Sequence, residues 1–159
     1  FKIIGVDQNK LMIKLAKQKL KKYKRQKLNL ISSDLKDFKL KKCNLVISVL
    51  IFPFLSLPLR NKLLKQIYNK LEIGGALITV EKIKSKHGIF EDLLNQLYYD
   101  FKLDQKISEK DIILKAKSLR TGMNVYDQEQ TTSFLKKNKF KKIDIFFKMY
   151  NFVGIIAFK

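Results

Sequence analysis

Hydrophobic positions along the chain change period several times, and each change marks an element. Phe1-Lys2-Ile3-Ile4-Gly5-Val6 is a short apolar run closed by Asp7, which predicts a buried strand. From Asn9 to about Arg25, Leu11, Met12, Leu15, Ala16, Leu20 and Tyr23 recur at helical spacing against a lysine-rich face. Leu28-Asn29-Leu30-Ile31 predicts a second strand, closed by Ser32-Ser33-Asp34, and Leu45 to Val49 a third that runs into an apolar loop around Pro53. Pro58 suits the first turn of a helix carrying Leu63, Leu64, Ile67 and Leu71, with Gly74-Gly75 as its stop. Ala76 to Val80 is a fourth strand, ending at Glu81-Lys82.

Strands that alternate with helices and mostly lack a polar face indicate an α/β fold with a parallel sheet covered on both sides. Beyond Glu81 the pattern changes. Phe90, Leu93, Leu94, Leu97 and Phe101 form one stripe of a helix from about Ile89 to Phe101. Ser108-x-x-Asp111 opens a further helix through Ile112, Ile113, Ala116 and Leu119, and Asp127-x-x-Gln130 starts a short one to about Lys137. The end, Lys141 to Phe147 and Phe152 to Phe158 around Tyr150-Asn151, reads as an antiparallel hairpin. With no internal repeat or linker, residues 1–159 are expected to form a single domain.

At 159 residues and 46% hydrophobic, the chain has the size of one core and too many apolar side chains for disorder. One cysteine, Cys43, excludes a disulfide scaffold and a cysteine-built zinc site. The apolar stretch Leu45 to Leu59 is broken by Pro53 and Pro58 and is too short to span a membrane, and a cytoplasmic location is expected. The net charge of +20 suggests nucleic acid, yet Arg25, Arg60 and Arg120 are the only arginines. Arginine makes the bidentate contacts that read guanine and clamp phosphate, so this surface predicts at most weak, non-specific RNA contact, densest at Lys17–Lys27.

GxxxxGK[ST], GxGxxG and GxSxG are all absent, and His87, the single histidine, stands beside Gly88 with no metal-ligand spacing around it. It reads as an exposed loop residue, and no metal site is expected. What survives is positional. Asp7 and Asp34 each follow a predicted parallel strand, at the end where open α/β sheets bind ligands. A carboxylate there accepts two hydrogen bonds from a ribose diol, and one after the next strand suits the amine of adenine. The plainer alternative is that Asp7 caps the following helix and Asp34 starts a turn.

Ile4-Gly5-Val6-Asp7-x-Asn9-x-x-Met12-x-x-x-Ala16, then Ser33-Asp34-Leu35, then Leu71-x-x-Gly74-Gly75-Ala76-Leu77 resembles the class I S-adenosylmethionine-dependent methyltransferases. Glu81-Lys82, Tyr99-Asp100-Phe101-Lys102, Ser108-Glu109 with Ile112, Tyr150-Asn151-Phe152 and Ala157-Phe158-Lys159 narrow the likeness to the carboxy-S-adenosyl-L-methionine synthase family. This resemblance implies a Rossmann-like class I methyltransferase fold, mostly parallel with a C-terminal antiparallel hairpin. It also implies S-adenosyl-L-methionine as cofactor and prephenate as co-substrate. The products would be carboxy-S-adenosylmethionine, used in modifying the tRNA wobble uridine, and phenylpyruvate; a homodimer is implied as well.

Carried over by position, Asp7 and Gln8 match the ribose-binding pair, and Asp34 and Leu35 the adenine-binding pair. Val49 takes the place of a cofactor-contacting asparagine, and Ala116 that of a carboxylate-binding arginine, which leaves the neighbouring Lys117 as the candidate catalytic cation. The resemblance further implies a strand and glycine-rich loop ahead of Phe1, lying between the Phe1–Val6 and Leu45–Val49 strands. Without that first strand the chain made alone is expected to be unstable, rearranged or molten, to bind cofactor poorly and to be inactive. Two other functions stay open: methyl transfer to tRNA or a small molecule, which Val49 and Ala116 suggest, and a degenerate, non-catalytic lysine-rich RNA-binding domain.

Overall fold

The computed structural model describes residues 2–23 and 27–159. Where the order of elements predicts one domain, these residues gather into two compact units, residues 1–40 and 41–159. In the first unit, β1 (Lys2–Asp7) and β2 (Lys27–Ser32) pair in parallel, Asp7 opposite Ser32, and α1 (Lys10–Leu20) connects them. Asn9 starts α1 because its Oδ1 accepts from the backbone N–H groups of Leu11 (2.9 Å) and Met12 (3.3 Å). Lys17 and Lys19 in the last turn complement the negative end of the helix. Gly5 permits close packing, since a Cβ there would stand 2.7 Å from Leu30 Cδ2.

Ile13 is the buried apolar side chain of this unit, while Ile3, Ile4, Leu11, Met12 and Leu15 are exposed. The expected buried first strand is therefore corrected. Two strands and one helix cannot cover both faces of a sheet. The helix expected to continue towards Arg25 ends at Leu20; Phe1 and residues 24–26, which include Arg25, lie outside the described residues.

The second unit holds a four-stranded sheet in the order β3 (Cys43–Val49), β4 (Leu71–Lys82), β6 (Phe152–Phe158), β5 (Lys142–Met149). β3 and β4 run parallel, and the β5–β6 hairpin joins antiparallel to β4, as a two-residue turn at Tyr150-Asn151 requires. Strand pairs thus divide evenly between parallel and antiparallel, and the α/β class with a terminal hairpin holds. β3 is an outer strand, and its alternate residues Leu45, Ile47 and Val49 are exposed.

α2 (Leu57–Lys70) carries Pro58 in its first turn and buries Leu63, Leu64 and Ile67. Its expected stop at Gly74-Gly75 is corrected. The chain turns extended at Leu71, which already pairs with Cys43, and Leu45 next pairs with Ala76, so the intervening residues of β4 bulge outward. The glycines serve that bulge: Gly74 has a φ of +78°, and a Cβ on Gly75 would stand 2.8 Å from the Asn44 carbonyl oxygen.

The apolar loop at Pro53 forms a short 3-10 turn, Phe52–Phe54, whose Phe52 and Pro53 are buried. Three further helices follow β4: α3 (Gly88–Asp104), α4 (Glu109–Leu119) and α5 (Gln128–Lys137). Ser108 caps α4, and Asp127 with Gln130 makes a reciprocal capping box on α5, as their spacing predicts. α3 buries none of its residues; Phe90, Leu93 and Leu97 on its stripe are exposed. No helix among the described residues is long and apolar enough to cross a membrane.

The two units differ in what holds them. Amides of β1, β2 and α1 are expected to exchange with solvent deuterium faster than those of β4 and β6, because one buried apolar side chain protects little against local opening. Native-state exchange by NMR checks this, and equal protection in both units contradicts it.

Candidate cofactor site

The parallel pairing of β1 with β2 brings four candidate residues to one end of a sheet. Asp7 is the last residue of β1, and its carbonyl accepts from the Ser33 N–H at 3.1 Å, just beyond the end of β2. Gln8 is exposed beside it, its carbonyl 3.5 Å from Ser32 Oγ. Asp34 and Leu35, both half-buried, follow Ser33.

Each aspartate uses one oxygen locally. Asp7 Oδ1 accepts the Asn9 N–H at 2.7 Å, and Asp34 Oδ1 accepts the Lys36 N–H at 2.9 Å. Both are Asx turns: Asp34 starts a turn as the plainer reading has it, whereas the cap of α1 is Asn9 and Asp7 only holds the Asn9 N–H. Neither turn exhausts its carboxylate. Asp7 Oδ2 has no hydrogen-bond partner among the described residues, and Asp34 Oδ2 faces the Lys36 ammonium at 3.4 Å. The hydrogen bond from the Lys36 backbone, ahead of the lysine's charge, holds the Asp34 carboxyl below its ordinary range.

Val49 and Lys117 belong to the second unit. Val49 is the exposed last residue of β3, opposite Val80 of β4. Lys117 is exposed on the last turn of α4 and joins no ion pair among the described residues. Among the described residues no group of acids, histidine and cysteine is arranged to hold a metal ion.

Position-by-position reading missed a buried ion pair at the end of β4. Arg60 Nη2 lies 2.9 Å from Glu81 Oε2, with both side chains almost wholly buried. Thr79 Oγ1 donates to Glu81 Oε1 at 3.3 Å, and the rings of Tyr126, Phe134 and Phe52 stand 4.9, 5.1 and 5.7 Å from the guanidinium carbon. Burial pushes the Glu81 carboxyl up and the Arg60 guanidinium down, and the opposite charge opposes each shift. One signal was available: where lysine fills nearly every basic position, a retained arginine marks a site that needs a planar, weakly hydrated cation.

Asn151 of the Tyr150-Asn151-Phe152 motif has a structural role. Asn151 is buried in the hairpin turn, and its Nδ2 donates to Asn95 Oδ1 (2.7 Å) and Glu91 Oε1 (3.3 Å) on α3. Glu91 Oε2 in turn accepts the Ser85 N–H at 2.7 Å, which ties the turn, the helix and the chain after β4 together.

A methyltransferase-domain family profile matches residues 1–79. A carboxy-S-adenosyl-L-methionine synthase of Staphylococcus epidermidis is 35% identical over 156 residues, covering 98% of this chain and 67% of the relative. The protein of the same name from Campylobacter jejuni is 34% identical, covering 100% of this chain and 67% of the relative. The chain belongs to the carboxy-S-adenosyl-L-methionine synthase family. Human N-acetylserotonin methyltransferase, solved in complex with S-adenosylmethionine, shares the fold with a TM-score of 0.64 at 16% identity, covering 99% of this chain and 40% of that one. The chain therefore spans two thirds of the length of its curated relatives and less than half of that solved chain.

Two outcomes follow for the side chains described. Replacing Arg60 by Met or Glu81 by Leu alone is expected to cost about 3–5 kcal/mol, because either change strands a buried polar partner. The double variant R60M/E81L loses much less, and urea denaturation showing simply additive losses would contradict the pairing. Asp34 is expected to titrate below 3.8 in a carboxyl NMR titration. Its folded value is depressed, so its turn contributes stability above the unfolded value and loses it as pH falls through the folded one. A midpoint at or above 3.8 contradicts the Lys36 contacts.

Proposed function

We propose that this protein makes carboxy-S-adenosyl-L-methionine from S-adenosylmethionine and prephenate, releasing phenylpyruvate, and that the product serves carboxymethylation of the tRNA wobble uridine. Family membership supports the reaction. The observation that carries the cofactor assignment is the meeting of Asp7 and Asp34 at neighbouring strand tips, joined through the Ser33 N–H. The donor set fits the nucleoside half of the cofactor. Asp7 keeps an unengaged carboxylate oxygen for a ribose hydroxyl, and Asp34, held ionised, accepts from an exocyclic amine. Gln8 and Leu35 flank them as a polar and an apolar contact. When bound, S-adenosylmethionine supplies a methyl carbon acidified by its sulfonium neighbour.

The balance is closed. One carboxyl passes from prephenate to that carbon, the ring loses hydroxide as it becomes aromatic, and the hydroxide and the displaced methyl proton leave as water. The chain's own part is to place the two molecules together and to offer cations to the carboxylates of the co-substrate. Val49 and Ala116 favour a second reading, methyl transfer, because neither supplies the polar group that the family has there. The exposed stripe of α3 supports a homodimer contact, and the lysine-rich surface supports RNA contact that is electrostatic only.

Incubating the full-length protein, with any segment that precedes Phe1, with both substrates and following the cofactor by mass spectrometry tests this. Carboxylated cofactor and phenylpyruvate in equal amounts are expected; methylated acceptor without carboxylated cofactor would reject it in favour of methyl transfer. D7N and D34N are each expected to weaken S-adenosylmethionine binding by about 10-fold or more in calorimetry, the range for losing a charge-assisted hydrogen bond.

A further inference from the structure

Adjacent residues of a strand face opposite sides of its sheet, so the last two residues of β4 serve different surroundings. Glu81 is buried against Arg60. Lys82 faces the other side, with its cross-strand partner Phe152 of β6. There Tyr98 of α3 meets Phe152 edge-on at 5.0 Å, and Tyr150 in the hairpin turn lies 6.1 Å from Tyr98 and 5.8 Å from Phe101. One turn along α3, Lys102 places its ammonium 4.0 Å from the centre of the Tyr98 ring and 5.3 Å from that of Tyr99. Exposed Lys115, on α4 beside α3, is near enough for its charge to act on Lys102.

Lys82 and Lys102 thus stand at one half-buried aromatic surface with the charge of Lys115 close by, and none of the three joins an ion pair among the described residues. The gathering has an electrostatic cost. Burial, then the charges of Lys82 and Lys115, push the Lys102 ammonium below its ordinary range, and no carboxylate pulls it back. An anion placed among the three relieves that repulsion, and the rings beside it offer an apolar wall to whatever carries the anion.

The geometry points to a binding site at this cluster for the carboxylate of a small ring-bearing acid, with Lys102 as the central cation, Lys82 and Lys115 flanking it, and Tyr98, Tyr150 and Phe152 as the wall. This rests on the reading of a ring dicarboxylate as co-substrate. It moves the carboxylate-holding role from Lys117, on the exposed last turn of α4, to Lys102, which the Tyr98 ring already positions. Lysine offers a point charge where arginine offers a fork, so three ammonium groups stand in for one planar guanidinium.

The test uses the whole chain, prephenate as the probe and lysine side-chain NMR as the readout. Prephenate is expected to shift the Lys102 signal and raise its titration midpoint. K102Q is expected to weaken prephenate binding at least tenfold, K102R to restore most of it, and K117Q to leave it unchanged. Unchanged Lys102 signals, wild-type affinity in K102Q, an equal loss in K117Q, or the same shifts from sodium chloride at matched ionic strength would each overturn the site. The activity reading fails separately. Prephenate bound at Lys102 with no carboxylated cofactor formed keeps the site and rejects the reaction, whereas carboxylated cofactor formed by K102Q at an unchanged KM for prephenate rejects the site and keeps the reaction.

Discussion

The buried pair of Arg60 and Glu81 is the interaction on which the larger unit depends. It joins α2 to the end of β4, and the rings around the guanidinium bring in the 3-10 turn at Phe52, Tyr126 and α5. Two charges taken out of water are costly, and they are tolerable here because Thr79 and three ring faces supply part of what water would. The pair also sets direction. With Glu81 committed to one side of the sheet, Lys82 must face the other, where the aromatic surface of α3 and the hairpin turn stands.

The smaller unit works by other means. It has little core of its own, and its order comes from parallel strand pairing, the Asn9 cap and two Asx turns. Those turns fix the two carboxylates at the strand tips in definite places. A functional carboxylate that also accepts a local backbone N–H is pre-oriented, which lowers the conformational entropy lost when a ligand hydrogen-bonds to it. The Asx turns and the proposed nucleoside site are compatible uses of the same two aspartates.

Much of this was legible in the residues themselves. The strands Leu28–Ile31 and Ala76–Val80, the hairpin, the Ser108 cap and the Asp127 capping box follow from local rules that tertiary context did not override. The stop at Gly74-Gly75 misled because glycine marks a helix end and a strand bulge alike, and only the register against β3 separates them. Burial of the first strand and of the α3 stripe was illegible for a different reason: periodicity shows which face is apolar, not whether anything covers it. The proposed roles of Asp7 and Asp34 come from their places after two strands, whereas that of Lys102 could not be reached from sequence. Its surroundings come from α3, α4, β4 and the hairpin turn, far apart along the chain.

The tips of β1 and β2 are the proposed seat of the nucleoside half of the cofactor. A crystal structure of the protein with S-adenosylmethionine measures this directly. The ribose hydroxyls are expected within hydrogen-bond distance of the Asp7 carboxylate, with the adenine amine at Asp34. A nucleoside bound with both aspartates still turned solely to the Asn9 and Lys36 backbone would contradict it.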